Sequence, residues 1–311
     1  MHDEIAGVFS DLGDAVREPP RFVIEGVLPC GIVFVSGPPK SKKTTLEMAF
    51  AVLVAGYKNI KVLPEDMQNV VETGRVLILT AEHTAGELRF MVEDGMGIKV
   101  LNDKSILIAD DPWKFRLDDP SAEATLIGWL DMLKPKVFII DPLVDFHSVD
   151  EKESGEMNRL LRPYQRWAKE NDACFMVIHH VSKKKSDDKT AYKANEMRGT
   201  GALFGIADGV LMLTPMADDI IHIEATLKRG APWTRAIKLG VWGADAEEAK
   251  PEPVETLEDR VFSMLKEGSR NYEVIAKSLR VAKSKVVLSV RRLHESKRIK
   301  VVGKNIYIQG D

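Results

Sequence analysis

Short apolar runs alternate with longer amphipathic segments over the first three quarters of the chain. Runs of four or five apolar residues, each followed by polar residues, occur at 32–35, 76–79, 106–109, 137–140 and 174–178. Uninterrupted apolar runs of this length are typical of strands buried on both faces of a parallel sheet. The segments between them place apolar residues at helical spacing. The pattern therefore predicts an α/β fold, with a mostly parallel sheet flanked by helices.

The same pattern sets the expected bounds of the other elements. A helix is expected to begin near Glu87, and three more are predicted at 43–56, 122–134 and 154–169. Three further strands, at 209–213, 220–227 and 236–239, are expected to complete the sheet.

The chain changes character after the last of these strands. Residues 243–255 are acidic, rich in alanine and contain two prolines, which is the composition of a linker. Beyond them, three short amphipathic helices precede a β-hairpin that turns at 303–305. We therefore predict a large domain over residues 1–245, a linker over 246–255 and a small winged helix-turn-helix domain over 256–311.

Charge is distributed unevenly between these parts. The whole chain has a net charge of −3, which gives no global attraction to nucleic acid. Residues 254–311 instead contain thirteen Lys and Arg against seven Asp and Glu. The third helix of the small domain would enter a DNA groove, and its predicted DNA-binding residues are Lys283, Lys285, Arg291 and Arg292. Because such domains also dock proteins, a protein partner is the alternative.

Composition indicates a soluble protein, since hydrophobic residues make up 44% of the chain and charged residues 29%. The two cysteines, Cys30 and Cys174, are far apart and have no disulfide or metal-ligand spacing. The acidic start lacks the basic and apolar regions of a signal peptide. No apolar run approaches the ~20 residues needed to cross a bilayer. We expect a cytoplasmic protein without membrane contact.

The stretch from Ile32 to Thr45 carries the strongest chemical signal. An apolar run ends in Ser-Gly-Pro-Pro, and Lys-Ser-Lys-Lys-Thr-Thr then opens a segment of good helix formers. Strand, loop and helix in this order form a phosphate-binding loop, whose backbone N–H groups surround an anion. Lys43 would contact the β- and γ-phosphates, and Thr44 would hold Mg²⁺. The predicted nucleotide-binding residues are Gly37, Pro38, Pro39, Lys40, Ser41, Lys42, Lys43, Thr44 and Thr45.

Lys42 departs from the pattern G-x-x-x-x-G-K-[ST], which has glycine at that position. Glycine permits backbone dihedrals that other residues resist. Either Lys42 adopts a conformation without a positive φ and adds a second cation, or the site is damaged. A loop that matches the pattern by chance is the third interpretation.

Candidate site residues follow three of the apolar runs. Asp141 after residues 137–140 matches the strand that supports Mg²⁺ in phosphate-loop enzymes. Glu82 lies just past another strand, at the edge of a parallel sheet where ligands bind. It is a candidate to activate a water molecule, the alternative being an acid near a helix N-terminus. His179 and His180 end a third strand and should point to opposite sides, so that one faces the nucleotide and the other is structural.

A polar tract follows at residues 182–190. Its consecutive basic residues, Lys183, Lys184 and Lys185, would track a phosphate backbone. A solvated charged loop is the alternative.

In their order and spacing these motifs resemble the RecA-like ATPases, most closely the RepA-like branch of plasmid and phage replicative helicases. The resemblance covers roughly residues 20–245 and rests on EGVLPCGIVFVSGPPKSKKTT, RVLILTAEH, VFIIDPL, VIHHVSK and RGTGAL…ADGVLML. It implies that Lys43 and Thr44 bind ATP with Mg²⁺, that Asp141 supports the metal and that Glu82 polarises the attacking water. His180 would then sense the γ-phosphate.

The resemblance also implies partners. Residues 183–195 correspond to a DNA loop in a central channel, and Arg229 of the LKRG segment, or Lys228, to a basic residue inserted into a neighbour's site. An inserted arginine is worth about 10³–10⁵ in rate, which makes the active site a property of the interface. Because members of the family are typically hexameric rings, we expect a homo-oligomer and specifically a hexamer.

The expected function is that of an oligomeric ATPase acting in DNA replication as a helicase or translocase. It would bind single-stranded DNA through central loops and duplex DNA through the winged helix. The alternative is an ATP-responsive DNA-binding regulator or loader that does not unwind DNA. A small-molecule kinase would need an acceptor pocket and a lid, for which the sequence offers no residues.

Overall fold

The computed structural model describes residues 18–58, 60–181, 192, 200–216, 219–238 and, between 257 and 308, all except 267, 269, 280, 282, 297, 303 and 304. The chain divides into two compact units. The larger contains residues 1–182 and 193–249, and the smaller contains residues 183–192 and 250–311.

Within the described residues, the larger unit contains a strand pair and an eight-stranded sheet. The pair is β1 (Phe22–Ile24) and β2 (Leu28–Pro29). The sheet strands are β3 (Gly31–Gly37), β4 (Val76–Thr80), β5 (Ile106–Ile108), β6 (Val137–Asp141), β7 (Cys174–His180), β8 (Gly209–Pro215), β9 (Ile220–Leu227) and β10 (Trp233–Lys238).

The order across this sheet is β10-β9-β8-β3-β7-β6-β4-β5. Strands β3 to β8 are parallel wherever they pair, and β9 and β10 continue the sheet antiparallel. The predicted mostly parallel α/β fold is therefore confirmed. One consequence of this order is that β7 separates β3 from β6.

Five helices of the larger unit are described: α1 (Lys43–Val54), α2 (Ala85–Phe90), α3 (Pro120–Leu133), α4 (Ser154–Glu170) and α5 (Thr200–Ile206). Helix α1 ends two residues before the predicted boundary. Helix α3 begins earlier than predicted because Asp119 caps it: its carboxylate accepts hydrogen bonds from the backbone N–H groups of Ser121 (2.8 Å) and Ala122 (3.4 Å). Pro120 then occupies the first turn, where no N–H is needed.

Helices cover both faces of the sheet, which explains the uninterrupted apolar runs. Val33 and Val35 of β3 belong to the core that contains the apolar residues of α1. On the other face, Phe138 of β6 stacks on Phe175 of β7 with ring centroids 5.0 Å apart. Tyr164 of α4 lies 5.3 Å from the Phe175 ring. Every residue of β3, β4 and β6 is buried.

The smaller unit contains α6 (Leu257–Lys266), β11 (Arg270–Asn271), α7 (Tyr272–Leu279), α8 (Lys283–Glu295), β12 (Ile299–Val302) and β13 (Asn305–Ile308). Its strands form an antiparallel sheet in the order β11-β13-β12. Its core consists of Val261, Leu265, Ile275, Ala276, Val286, Val290, Leu293, Ile299 and Ile306. Three helices and a hairpin are thus present, whereas their identity as a winged helix domain stays a prediction.

Among the described residues, no helix is both long enough and apolar enough to span a membrane.

Phe138→Ala should weaken the larger unit. It removes a fully buried ring that stacks on Phe175, and substitutions of this kind cost about 3–5 kcal/mol. Phe204→Ala in α5 is the matched control, because the Phe204 side chain is 42% exposed. Urea unfolding followed by circular dichroism would measure both. Equal losses of unfolding free energy in the two variants would contradict the described core.

Candidate functional site

Neighbouring strands bring the predicted site residues to one edge of the sheet. Gly37 at the end of β3 pairs with His180 at the end of β7. Thr80 at the end of β4 pairs with Asp141 at the end of β6. Because these strands are adjacent and parallel, the loop after β3, His180, Asp141 and the turn after β4 lie side by side. This carboxyl edge is where α/β sheets bind ligands.

The loop between β3 and α1 is folded around the Lys43 side chain. The Lys43 ammonium donates hydrogen bonds to the carbonyl oxygens of Gly37 (3.2 Å) and Pro38 (3.1 Å). The Ser41 N–H donates to Pro38 O at 3.3 Å. Of the other predicted loop residues, Pro39 and Lys40 are exposed, Thr44 is half-buried and Thr45 is buried.

The loop presents the N-terminus of α1 to the site. The first intrahelical hydrogen bond runs from Leu46 N–H to Lys42 O, so the N–H groups that precede it are not used within the helix. No acidic residue occupies the first turn of α1. The helix dipole and these N–H groups therefore favour an anion.

Gly37 is required by close packing rather than by its dihedral angles. A Cβ atom at this position would lie 2.4 Å from Ser41 Oγ and 2.9 Å from the carbonyl oxygen of Leu213. The second contact is with backbone, which cannot turn away. Any larger residue would therefore shift the loop from β8.

Lys42 adopts the left-handed conformation, with φ 60° and ψ 28°. The interpretation in which it avoids a positive φ is therefore wrong. Its ammonium lies 3.6 Å from Oδ1 of Asp219, in the turn between β8 and β9. A non-glycine residue in this region costs about 1–2 kcal/mol. The glycine-like backbone geometry is thus retained with a lysine in place.

Two buried carboxyl groups lie beneath the loop. Asp141 is 1% exposed and Glu47 of α1 is fully buried. Burial raises the pKa of Asp141 to about 7, and the Glu82 carboxylate adds to the shift. Burial, followed by the Asp141 and Glu82 charges, raises the pKa of Glu47 well above its usual range. Sequence analysis missed Glu47, although an acid four residues after Lys43 on α1 must lie on the face of the helix next to that lysine.

Lys43 lies within the field of these acids. Burial lowers the pKa of Lys43, while the charges of Asp141, Glu82 and Glu47 oppose the shift, in that order of size. The Lys43 ammonium is buried, has several acidic neighbours and donates hydrogen bonds to loop carbonyl oxygens. It is therefore well placed to contact phosphate oxygens.

The turn after β4 holds Glu82 and His83. The Thr80 hydroxyl oxygen accepts hydrogen bonds from the N–H groups of both residues at 3.3 Å. Glu82 is not the cap of α2, because Thr84 occupies that position and forms a capping box with Glu87. The Glu82 side chain is 44% exposed, and its Oε1 lies 3.5 Å from Nε2 of His180.

The two neighbouring histidines have different surroundings. His180 faces Glu82, and burial together with the Lys43 charge lowers its pKa. His179 is buried and its Nε2 lies 3.3 Å from Oε1 of Glu151. The opposite orientations expected from the strand period are thus present, with His180 on the side of Glu82.

The residues present fit a hydrated Mg²⁺ ion. Apart from a contact with the Glu47 carboxyl, the oxygens of the buried Asp141 carboxyl accept no hydrogen bond from the described residues. Buried polar groups normally have a partner, so these oxygens are suited to a cation or its water ligands. Asp141 and the Thr44 hydroxyl are the residues that would hold the ion.

Arg229 does not join this site. Arg229 lines a small cavity with Pro29, Cys30 and Asp208, which lie at the amino ends of β3 and β8. It is therefore at the opposite edge of the sheet from Glu82. Lys183, Lys184 and Lys185 lie outside the described residues.

The basic residues of α8 are mostly paired within the smaller unit. Lys283 forms an ion pair with Glu273 (2.7 Å), Arg291 with Glu295 (3.0 Å) and Arg292 with Glu258 (3.1 Å). Lys285 is exposed. The basic character read from the sequence is thus partly neutralised locally.

The fold and the site together define a P-loop α/β domain of the ATPase type. The chain belongs to the AAA domain family, which matches residues 4–186. No curated protein matches the chain. Among solved structures, the crystal structure of the RadB recombinase is similar, with a TM-score of 0.47 and 16% sequence identity, covering 71% of this chain and 92% of that chain.

Lys42→Gly should leave the thermal stability unchanged or raise it. The substitution relieves a left-handed backbone, and the Asp219 ion pair that it removes is partly exposed and contributes at most about 1 kcal/mol. Lys99→Gly is the matched control. Lys99 lies outside the positive-φ residues, so glycine there should lower stability by roughly 0.5–1 kcal/mol. Melting curves in which Lys42→Gly is the less stable of the two would refute the expected relief.

Proposed function

We propose that the protein is an oligomeric, RepA-like ATPase that binds ATP with Mg²⁺ and uses hydrolysis to move along DNA. The observation that carries the proposal is the convergence of Lys43, Asp141, Glu82 and His180 at the carboxyl edge of the sheet, next to the N-terminus of α1. Membership in the AAA domain family supports the nucleotide part of the proposal.

Each residue has a role that its surroundings support. The Lys43 ammonium would exchange its loop carbonyl partners for the β- and γ-phosphates. Asp141 and Thr44 would hold Mg²⁺, which supplies charge neutralisation at the phosphates. Glu82, which is partly exposed, would accept a proton from the attacking water. His180, in contact with Glu82, would respond to the γ-phosphate.

The position of Arg229 supports an oligomer. Since Arg229 and Glu82 lie at opposite edges of one sheet, Arg229 reaches a nucleotide only when a second copy presents its carboxyl edge. A ring satisfies this condition for every subunit, and a hexameric ring is the arrangement that we propose.

DNA contact is proposed at two places. Lys183, Lys184 and Lys185 would line the central channel and contact single-stranded DNA. The smaller unit would act as a winged helix domain, with α8 contacting duplex DNA. Of the four basic residues of α8 named above, Lys285 is the best placed for phosphate, because the other three are held by acids.

An ATP-responsive regulator without strand separation is the second candidate. Lys42 favours it, because this residue departs from the usual loop. Strand displacement on a forked DNA distinguishes the two. The proposed motor separates the strands only with hydrolysable ATP, whereas the regulator binds ATP and DNA without turnover.

Three substitutions test the assigned roles. Lys43→Ala should weaken ATP binding about 10- to 150-fold through the loss of charged hydrogen bonds. Glu82→Gln should retain binding and lower turnover by about 10²–10⁴. Arg229→Ala should retain binding and lower turnover by about 10³–10⁵. Calorimetry and DNA-stimulated phosphate release are the measurements.

Lys61→Ala, Glu156→Gln and Arg235→Ala are the matched controls, since these residues lie outside the proposed site. Their turnover should equal that of the natural chain. If the natural chain releases no heat with millimolar ATP and Mg²⁺, both proposed functions, the ATPase motor and the ATP-responsive regulator, are wrong. Full turnover in Glu82→Gln would remove only the role of Glu82.

Lys285→Ala tests the DNA role of the smaller unit. If Lys285 contacts a phosphate, its loss weakens duplex binding equally for all sequences and lowers the salt slope of log K by about 1. Lys277→Ala on α7 is the control, because Lys277 is exposed outside the proposed recognition helix. Fluorescence anisotropy between 50 and 200 mM salt, roughly the range over which such contacts weaken, measures both. Identical slopes in the two variants would favour a protein partner for this unit.

A further inference from the structure

His83 adds a nitrogen donor to the acidic residues of the carboxyl edge. Among the described residues, one ligand atom each from Glu82, His83 and Asp141 lies within 4.8 Å of the other two. Glu82 and His83 come from the turn after β4, and Asp141 comes from the end of β6. The β4–β6 pairing, with Thr80 opposite Asp141, sets this proximity.

A second observation also indicates a cation at this place. Both oxygens of Asp141 and both oxygens of Glu47 are buried, and apart from the contact between these two carboxyl groups they accept no hydrogen bond from the described residues. Two buried carboxyl groups side by side are costly unless a cation or protons compensate their charge. His83 is half-buried and reaches the same space from the turn.

We propose that Glu82, His83 and Asp141 bind a divalent first-row transition metal, with Mn²⁺ as the probe, in the absence of nucleotide. Carboxylates alone suit Mg²⁺, Ca²⁺ and Mn²⁺, whereas an imidazole ligand favours transition metals over Mg²⁺. A set of one imidazole and two carboxylates therefore selects ions that accept both donor types. The inference goes beyond the proposed ATPase function, because it requires neither ATP nor hydrolysis.

The test is a titration of the nucleotide-free full chain with MnCl₂ in the presence of excess Mg²⁺, followed by the electron paramagnetic resonance signal of free Mn²⁺. We expect one Mn²⁺ bound per chain. His83→Ala and Asp141→Asn should each weaken binding by about 10-fold or more. His222→Ala is the matched control, because His222 lies on β9, outside the three ligands, and should leave binding unchanged.

A spectroscopic signal from the His83 nitrogen distinguishes a metal ligand from a residue that only supports the structure. Electron spin-echo modulation of bound Mn²⁺ should show coupling to the His83 nitrogen in the natural chain. In His83→Ala at saturating Mn²⁺ this coupling should vanish while the circular dichroism melting curve is retained. Since His180 also lies near Glu82, coupling that persists in His83→Ala would overturn the assignment of His83.

Three further outcomes bear on the proposal. A natural chain that binds no Mn²⁺ below millimolar concentration would overturn it. Lys61→Ala, which changes an exposed residue outside both proposed sites, is expected to bind Mn²⁺ as the natural chain does. Loss of Mn²⁺ in that variant would also count against the site. Failure of ATP binding in the natural chain, with Mn²⁺ binding intact, would remove the ATPase proposal and keep this one.

Discussion

The burial of unlike charges beneath a single loop is the constraint on which the rest of the site depends. Lys43, 7% exposed, lies among Asp141, Glu47 and Glu82, and its ammonium is held by loop carbonyl oxygens. A charge in such a position is tolerated only with compensating partners. The sheet register supplies them, because Gly37 is paired with His180 and Thr80 with Asp141. Moving one strand by a single residue would turn its side chains to the opposite face and separate the acids from the lysine.

The loop itself shows how a departure from a sequence pattern is accommodated. The consensus glycine is absent at Lys42, yet the backbone there has the left-handed dihedrals that glycine would adopt freely. The side chain extends away toward Asp219, so the N–H groups of the helix start remain available. Gly37, in contrast, admits no side chain, because the β8 backbone lies too close. The loop thus requires a residue without a side chain at Gly37 and tolerates a strained backbone at Lys42.

The proposed ATP hydrolysis and the proposed DNA contact depend on different features of the two units. In the larger unit, Arg229 lies at the edge of the sheet opposite to the carboxyl edge. The proposed ATP hydrolysis therefore joins the carboxyl edge of one copy to Arg229 of another. In the smaller unit, most basic residues of α8 are engaged by nearby acids. Exposed ion pairs of this kind are weak, and phosphate can compete for the basic partner. The ion pairs leave the net charge of the smaller unit unchanged, but most basic side chains of α8 can contact DNA only by leaving an acidic partner.

Much of the fold and part of the site followed from sequence alone. The parallel sheet was predicted from the apolar runs, because strand and helix periods are local properties. Its candidate ligand-binding edge was predicted from Asp141 and His180, which follow two of these runs, and from the Gly37–Thr45 loop before a helix. Other features required the tertiary structure. Glu47 reads as an ordinary helix residue until α1 buries it against Asp141, and His83 becomes a candidate ligand only when β4 pairs with β6. The ion pair of Arg292 with Glu258 likewise joins residues distant in the chain, which no local pattern encodes.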